Sequence, residues 1–277
     1  MHRLQRISQH QLAASEPLPD VLGLGEQFNA HFRRGQTALI ASDPNNGKSA
    51  VGLWACIRWA QQGLRVLYFA ADTDEFTTWK RAAATVTGQP QSYVTGMPNR
   101  QVSAALNVLG GRLSFSFETD PTYEHIQEEV VAFWELWGVY PDVIVIDNLM
   151  DVIGDNEDEY GGMRDHTRAF KRLARTTDSL VLYLHHCNEE EQKGKAADRV
   201  PDHPPARSKI TGKVSQKAEL VFTLLYDDQA GILKIAVVKN RDGMKDKNGL
   251  IYLSIRADFD RMQLYDMQHQ RLGVAAA

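Results

Sequence analysis

Apolar and polar residues along this chain fall into blocks whose period switches between that of a strand and that of a helix. The stretch 1–25 is polar and mixed, with Pro17 and Pro19 interrupting it, and reads as an arm leading into a domain. Residues 37–41 are then a short apolar run, as a buried strand requires. Residues 49–62 carry Val51, Trp54, Ala55 and Ile57 on one side at helical spacing before Gly63 closes the segment. Leu53 and Trp59 widen that face, so this helix is expected to be well buried. Further on, 65–71 (RVLYFAA) predicts a second strand, 75–86 a second helix, 112–117 (RLSFSF) a third strand of period two, and 123–137 a third helix. Residues 142–147 (DVIVID) and 180–184 (LVLYL) are almost wholly apolar and flank a helical pattern at 164–176. Strands with no polar face need cover on both sides. Five strands alternating with four helices therefore predict an α/β fold with a mostly parallel central sheet and helices on both faces. Past residue 219 the pattern changes to strands at 220–226, 233–238 and 250–255, separated by the turn-forming stretches DDQAG and NRDGMKDKNG. That spacing predicts a C-terminal antiparallel β meander at one sheet edge.

Composition narrows the class. The 277 residues are 43% hydrophobic and 24% charged, which excludes disorder as the main state. With 31 Lys+Arg against 35 Asp+Glu the net charge is −4, so a nucleic-acid or membrane partner has to be met by a local patch. Cys56 and Cys187 have no neighbours at metal-ligand spacing and no disulfide framework, as in a reducing compartment. Apolar runs such as Val143 to Ile146 are far short of a bilayer span, and the first residues lack the apolar core of a signal peptide. These features predict a cytoplasmic, soluble protein with no membrane partner.

Between the first strand and the first helix stand Ser42, Asp43, Pro44, Asn45, Asn46, Gly47, Lys48 and Ser49, a P-loop in the context that motif needs. Phosphate binding there uses backbone N–H groups around a small concavity and a helix N-terminus. It also uses a lysine for the β- and γ-phosphates and a hydroxyl for Mg²⁺. Gly47, Lys48 and Ser49 match; Ser42 departs, standing where the motif has its first glycine. The apolar strand at 142–147 ends in Asp147, positioned as a Walker-B acid for Mg²⁺, so Ser49 and Asp147 are the expected metal-side residues. Asp72, Asp74 and Glu75 leave the second strand toward the same edge. Asp72, nearest the strand end, is the expected base for the attacking water, whereas Glu75 and Asp74 have a rival role as first-turn acids of the next helix.

The order of these motifs resembles the RecA-superfamily ATPase core of hexameric replicative helicases of the DnaB and plasmid RepA type. They comprise a P-loop, an acid after the second strand, an apolar strand ending in Asp, another ending in polar residues, and Lys239-Asn240-Arg241-Asp242-Gly243. The resemblance implies a RecA-like P-loop NTPase domain over 26–266, an arm at 1–25 and a flexible tail at 267–277. Asp72 takes the place of the family's catalytic glutamate, one methylene shorter. His186, in the His185-His186 pair, takes the place of the polar sensor of the γ-phosphate, and Lys239 with Arg241 that of the residues that reach a neighbouring subunit's nucleotide. ATP and Mg²⁺ are the implied cofactors, and self-association into a ring, as in the hexamers of that family, is the implied assembly.

The stretch 187–213 is polar, rich in Pro and Gly, and too long for a routine connection. Lys193, Lys195, Arg199, Arg207, Lys209 and Lys213 give it a basic character, diluted by Glu189, Glu190 and Glu191. It reads locally as a solvated loop. The resemblance places it at a central channel, where its cations would follow the phosphates of single-stranded DNA. The loop after Asp147 is acidic instead, with Asp151, Asp155, Glu157, Asp158 and Glu159. The expected function is an ATP-dependent, helicase-like motor that remodels single-stranded DNA in replication or recombination. The alternatives are a RecA-like annealing ATPase without unwinding and an ATPase with a metal-dependent nuclease built on the acidic loop.

Overall fold

The computed structural model describes residues 17–154, 159–187, 202–265 and 271–274. Its centre is one mixed sheet. Strands β1 (Thr37–Ser42), β2 (Val66–Ala70), β3 (Leu113–Ser116), β4 (Val143–Asp147) and β5 (Leu180–His186) run parallel, and β6 (Leu220–Asp227) lies parallel to β1. From β6 the chain turns back antiparallel through β7 (Ile232–Asn240), β8 (Ile251–Asp258) and β9 (Gln263–Tyr265), and β10 (Arg271–Val274) also pairs with β8. The spatial order is β10-β8-β7-β6-β1-β5-β4-β2-β3, with β9 on β8, so the meander occupies one edge.

Period-two alternation divides the core into two layers. Ala38 and Ile40 of β1 and Val143 and Val145 of β4 face one cluster; Leu39, Ala41, Ile144 and Ile146 face the other. The first is roofed by α1 (Leu24–Phe28), α2 (Lys48–Gln61), α3 (Glu75–Thr87), α4 (Gln91–Val94) and α5 (Asn99–Leu106). The second is roofed by α6 (Tyr123–Trp137) and α7 (Glu159–Thr177). No helix of the described residues is long and apolar enough to cross a membrane.

Several sequence expectations change. The packed unit starts before residue 26: Leu18, Val21, Leu22 and Leu24 are buried, and Trp59 donates its indole N–H to Pro19 O at 2.9 Å. Two prolines made this segment read as an arm, although its leucines and valine fill the α2 face of the core. At the other end, Arg271–Val274 form β10, within the stretch expected to be a flexible tail. α4 and α5, each with a proline at the N-cap position, were not expected at all.

Candidate active site

β1 ends at Ser42 and α2 begins at Lys48, so the six residues from Ser42 to Gly47 turn the chain at the carboxyl edge of a central parallel strand. Asn45 (φ 61°) and Gly47 (φ 77°) adopt left-handed conformations that turn backbone N–H groups into the concavity. Ser42 is buried, and its Oγ donates to Asp43 O at 2.9 Å. Asn46 is a staple: its Nδ2 donates to Pro44 O (3.2 Å), and its Oδ1 accepts from Tyr226 N–H (2.8 Å), tying the loop to β6. The Phe259 ring packs on the loop, 2.4 Å from where a Cβ on Gly47 would stand. Gly47→Ala therefore meets both a positive φ and an aromatic ring. Melting curves should drop by about 2–4 °C for each kcal/mol of strain, and a fluorescent nucleotide titration should show weakened binding.

Asp147 closes the other side. Its buried carboxylate accepts from Ser49 Oγ at 3.1 Å and from the Tyr68 hydroxyl at 2.7 Å. This happens although β5 lies between β1 and β4, so the acid's strand is not the immediate neighbour of the P-loop strand. Burial raises the Asp147 pKa against the pull of Tyr68, Lys48 and Ser49, and burial lowers that of Lys48 against the pull of Asp147, Asp72 and Asp151. Bringing phosphates and a divalent cation to this pocket would return charge partners to both groups, and the donor set of one hydroxyl and one carboxylate suits Mg²⁺.

A cavity of about 460 Å³ opens over these groups, lined by the P-loop with Asp72, Thr73, Arg81, Gln91, His186, Phe259 and Met262. Asp72 and His186 thus stand where the sequence expected them, at the phosphate end. Asp74 does not share the cavity: it is the N-cap of α3, accepting from Thr77 N–H at 2.9 Å, with Glu75 in the first turn. Asp151 is similarly spent, accepting from Asn148 N–H at 3.2 Å in a capping box. Among the described residues no group of three His, Cys, Asp or Glu is placed to hold a metal ion. Asp155, Glu157 and Asp158 lie outside the described residues, as does the side chain of Glu159.

His185, one residue before His186, faces away. It is fully buried, its Nε2–H donates to Thr211 O at 3.2 Å, and desolvation pushes its pKa down to about 4. A folded-state value below the unfolded 6.5 means the unfolded chain binds the extra proton between those pH values, so stability rises with pH there. The protein should lose about 3 kcal/mol of stability from this group as pH falls from 6.5 to 4. A neutral His185→Gln variant should flatten that part of a pH-dependent urea-denaturation series.

Lys239 and Arg241 occupy the opposite end of the sheet. Asn240 pairs with Leu220, and Leu220 with Ala38 near the start of β1. At about 3.3 Å per residue, roughly 13 Å of strand separates that level from the chain's own P-loop. Arg241 is 64% exposed, its Nη1 3.7 Å from Glu219 Oε1. Lys239 was expected to project out of the subunit. Its ammonium instead donates to Ser215 O (3.1 Å), Gln216 O (2.9 Å) and Ala218 O (2.5 Å). Glu219 is the buried hub of this end, accepting from Thr37 N–H (3.1 Å) and Thr37 Oγ1 (2.7 Å) and paired with Lys171.

Of the basic loop, Lys193, Lys195 and Arg199 lie outside the described residues. Lys213 is exposed at a left-handed turn, Lys209 is half-buried, and Arg207 donates its Nε–H to Ser215 Oγ at 3.2 Å. Sequence reasoning missed Tyr68, Arg81, Phe259 and Glu219. Arg81 carried the one usable signal, lying three residues past buried Thr78 on the α3 face that meets the cavity. The others arrive from distant segments.

Comparison with known proteins agrees with this architecture. A family model described as "AAA domain" matches residues 12–192. The gene 65 protein of Mycobacterium phage L5 is 30% identical over 268 residues, covering 93% of this chain and 96% of that protein. The gene 65 protein of Mycobacterium phage D29 is 28% identical over 240 residues, covering 83% and 99%. Among solved structures, an isolated ATPase domain superposes with a TM-score of 0.77 at 14% identity, over 93% of this chain and 94% of that one. A DnaB-like replicative helicase, described together with its interactions with primase, superposes with a TM-score of 0.75 at 14% identity. It is matched over 90% of this chain, which spans 63% of its length. The fold is that of a RecA-like helicase ATPase domain, a nucleotide-binding architecture, and the chain belongs to the AAA-domain family.

Proposed function

We propose that this chain hydrolyses ATP and couples the turnover to movement on, or remodelling of, single-stranded DNA, acting as one subunit of a ring with residues 26–266 as its motor unit. The observation that carries the reading is the contact of Ser49 Oγ with Asp147 beside the buried Lys48 ammonium, on the floor of a cavity large enough for a nucleotide. The similar solved structures, an ATPase domain and a replicative helicase, support the same direction.

In this reading the backbone N–H groups from Asp43 to Ser49 cradle the β-phosphate and Lys48 bridges the β- and γ-phosphates. Ser49 and Asp147 hold Mg²⁺, which supplies positive charge to the phosphate oxygens. Asp72 takes the proton of the attacking water as the bond from the γ-phosphorus to the bridging oxygen breaks, and ADP leaves with that bond's electron pair. Arg81 and His186 sit where the γ-phosphate charge develops. Arg241, on the far side of its own subunit, serves the nucleotide of the next one. The cations Lys193, Lys195, Arg199, Lys209 and Lys213 contact DNA phosphates.

A forked-duplex unwinding assay with ATP tests the motor. Strand separation by the wild type that disappears in Lys48→Ala is expected; separation that survives the substitution would sink the reading. Annealing of complementary strands without ATP, and no unwinding with it, would replace the motor with a strand-pairing ATPase. A second assay addresses the short base. Asp72→Ala should lower kcat by about 10²–10⁴-fold, whereas Asp72→Glu, one methylene longer in a cavity with room for it, should keep activity; equal loss in both would remove Asp72 from the proton transfer.

A further inference from the structure

We propose that Arg207, rather than Lys239, stands beside Arg241 as the second cation offered to the neighbouring subunit's nucleotide phosphates, with Lys239 as the positioning residue that braces the pair. The inference rests on the ring-ATPase reading. An ammonium has three N–H donors, and all three of Lys239 are matched by backbone carbonyls of residues 215, 216 and 218. Reaching a phosphate would mean abandoning them. Ser215 joins the two cations: its carbonyl accepts from Lys239, and its hydroxyl accepts from Arg207 Nε at 3.2 Å. With Nε fixed there, the four terminal N–H groups of the Arg207 guanidinium have no acceptor among the described residues. That is the fork which binds phosphate oxygens two at a time.

Charge at this end is also unbalanced. Lys171, Arg207, Lys239 and Arg241 gather around one carboxylate, Glu219, which is already engaged by Lys171 and Thr37. Burial and then the Arg207 charge push the Lys239 pKa down to about 8, the sign of positive potential that the subunit does not neutralise itself. Anionic phosphate is the chemistry that completes it. The cluster is compact and held by hydrogen bonds, unlike the extended groove that follows a DNA strand. It lies at the opposite end of β1 from the chain's own P-loop, so the phosphate has to come from another copy.

The test uses full-length Arg207→Gln and Arg207→Lys, both checked for an unchanged melting temperature. Arg207→Gln should lower kcat by roughly 10–100-fold with DNA saturating, while single-stranded DNA affinity stays within about twofold of wild type; Arg207→Lys should recover part of the loss. Mixing Arg207→Gln with Lys48→Ala subunits in equal amounts should restore activity above that of either alone. About a quarter of junctions then pair an intact P-loop with an intact Arg207. Wild-type kcat in Arg207→Gln, or a loss confined to DNA affinity, or no rescue on mixing, would each overturn the assignment. A wild type without any ATPase activity would instead overturn the proposed function.

Discussion

Arg241→Ala should reduce ATP turnover by about 10³-fold or more, the scale on which a trans-acting arginine stabilises the charge of phosphoryl transfer, while leaving nucleotide binding close to wild type. The separation of the two quantities is the point. Arg241 sits on the order of 13 Å of strand away from its own P-loop, so its loss cannot disturb the pocket it shares a chain with. From an exposed position it approaches Glu219 at 3.7 Å, a contact that screening makes a weak stabiliser of the fold. Thermal melts of Arg241→Ala should therefore match wild type, and nucleotide titration should too, with the deficit confined to kcat. A variant that binds nucleotide and hydrolyses it normally would remove the neighbour from the mechanism.

Lys48→Ala should cost about 10²–10³-fold in kcat/KM, and here binding should fall together with turnover. Lys48 is the buried cation facing Asp147, Asp72 and Asp151. Without it three carboxylates surround the place where the γ-phosphate arrives, and Coulomb repulsion replaces attraction in a site of low dielectric. Asp147 also loses one of the interactions that oppose the upward pull of burial on its pKa, so the residual activity of Lys48→Ala should shift its acid limb to higher pH than wild type. A pH profile of nucleotide binding reads that directly; an unshifted acid limb would place Lys48 too far from Asp147 to matter.

The parts of this picture legible in the sequence were those encoded locally. Strands β1, β2, β4 and β5 are apolar on both faces, and that property alone implies a covered parallel sheet. The P-loop and Asp147 carry their chemistry in consecutive residues. What stayed hidden depends on distant partners. Leu18 to Leu24 fill a core whose other wall is α2 and β1, α4 and α5 start at prolines that read as breaks, and Phe259 reaches Gly47 from the far edge of the sheet. Lys239 shows the limit most clearly. Its charge is visible in Lys-Asn-Arg-Asp-Gly, but the three carbonyls that consume its donors come from residues 215–218, more than twenty positions upstream, and no spacing rule along the sequence connects them. Tyr68 is a similar case, a strand residue read as core whose hydroxyl orients Asp147.

The arrangement also separates two kinds of charge that the net value of −4 conceals. Around the cavity, acids face a single desolvated lysine with Arg81 nearby; at the other end of β1, four cations face a single glutamate. A head-to-tail ring brings the second surface to the first and makes each complete only in the assembly. The most direct measurement is the steady-state ATPase rate of the wild-type chain with and without single-stranded DNA, across protein concentrations that span assembly. The expected result is a rate per subunit that rises cooperatively with concentration and rises further when DNA is added. A rate per subunit that is independent of both concentration and DNA would contradict the ring motor.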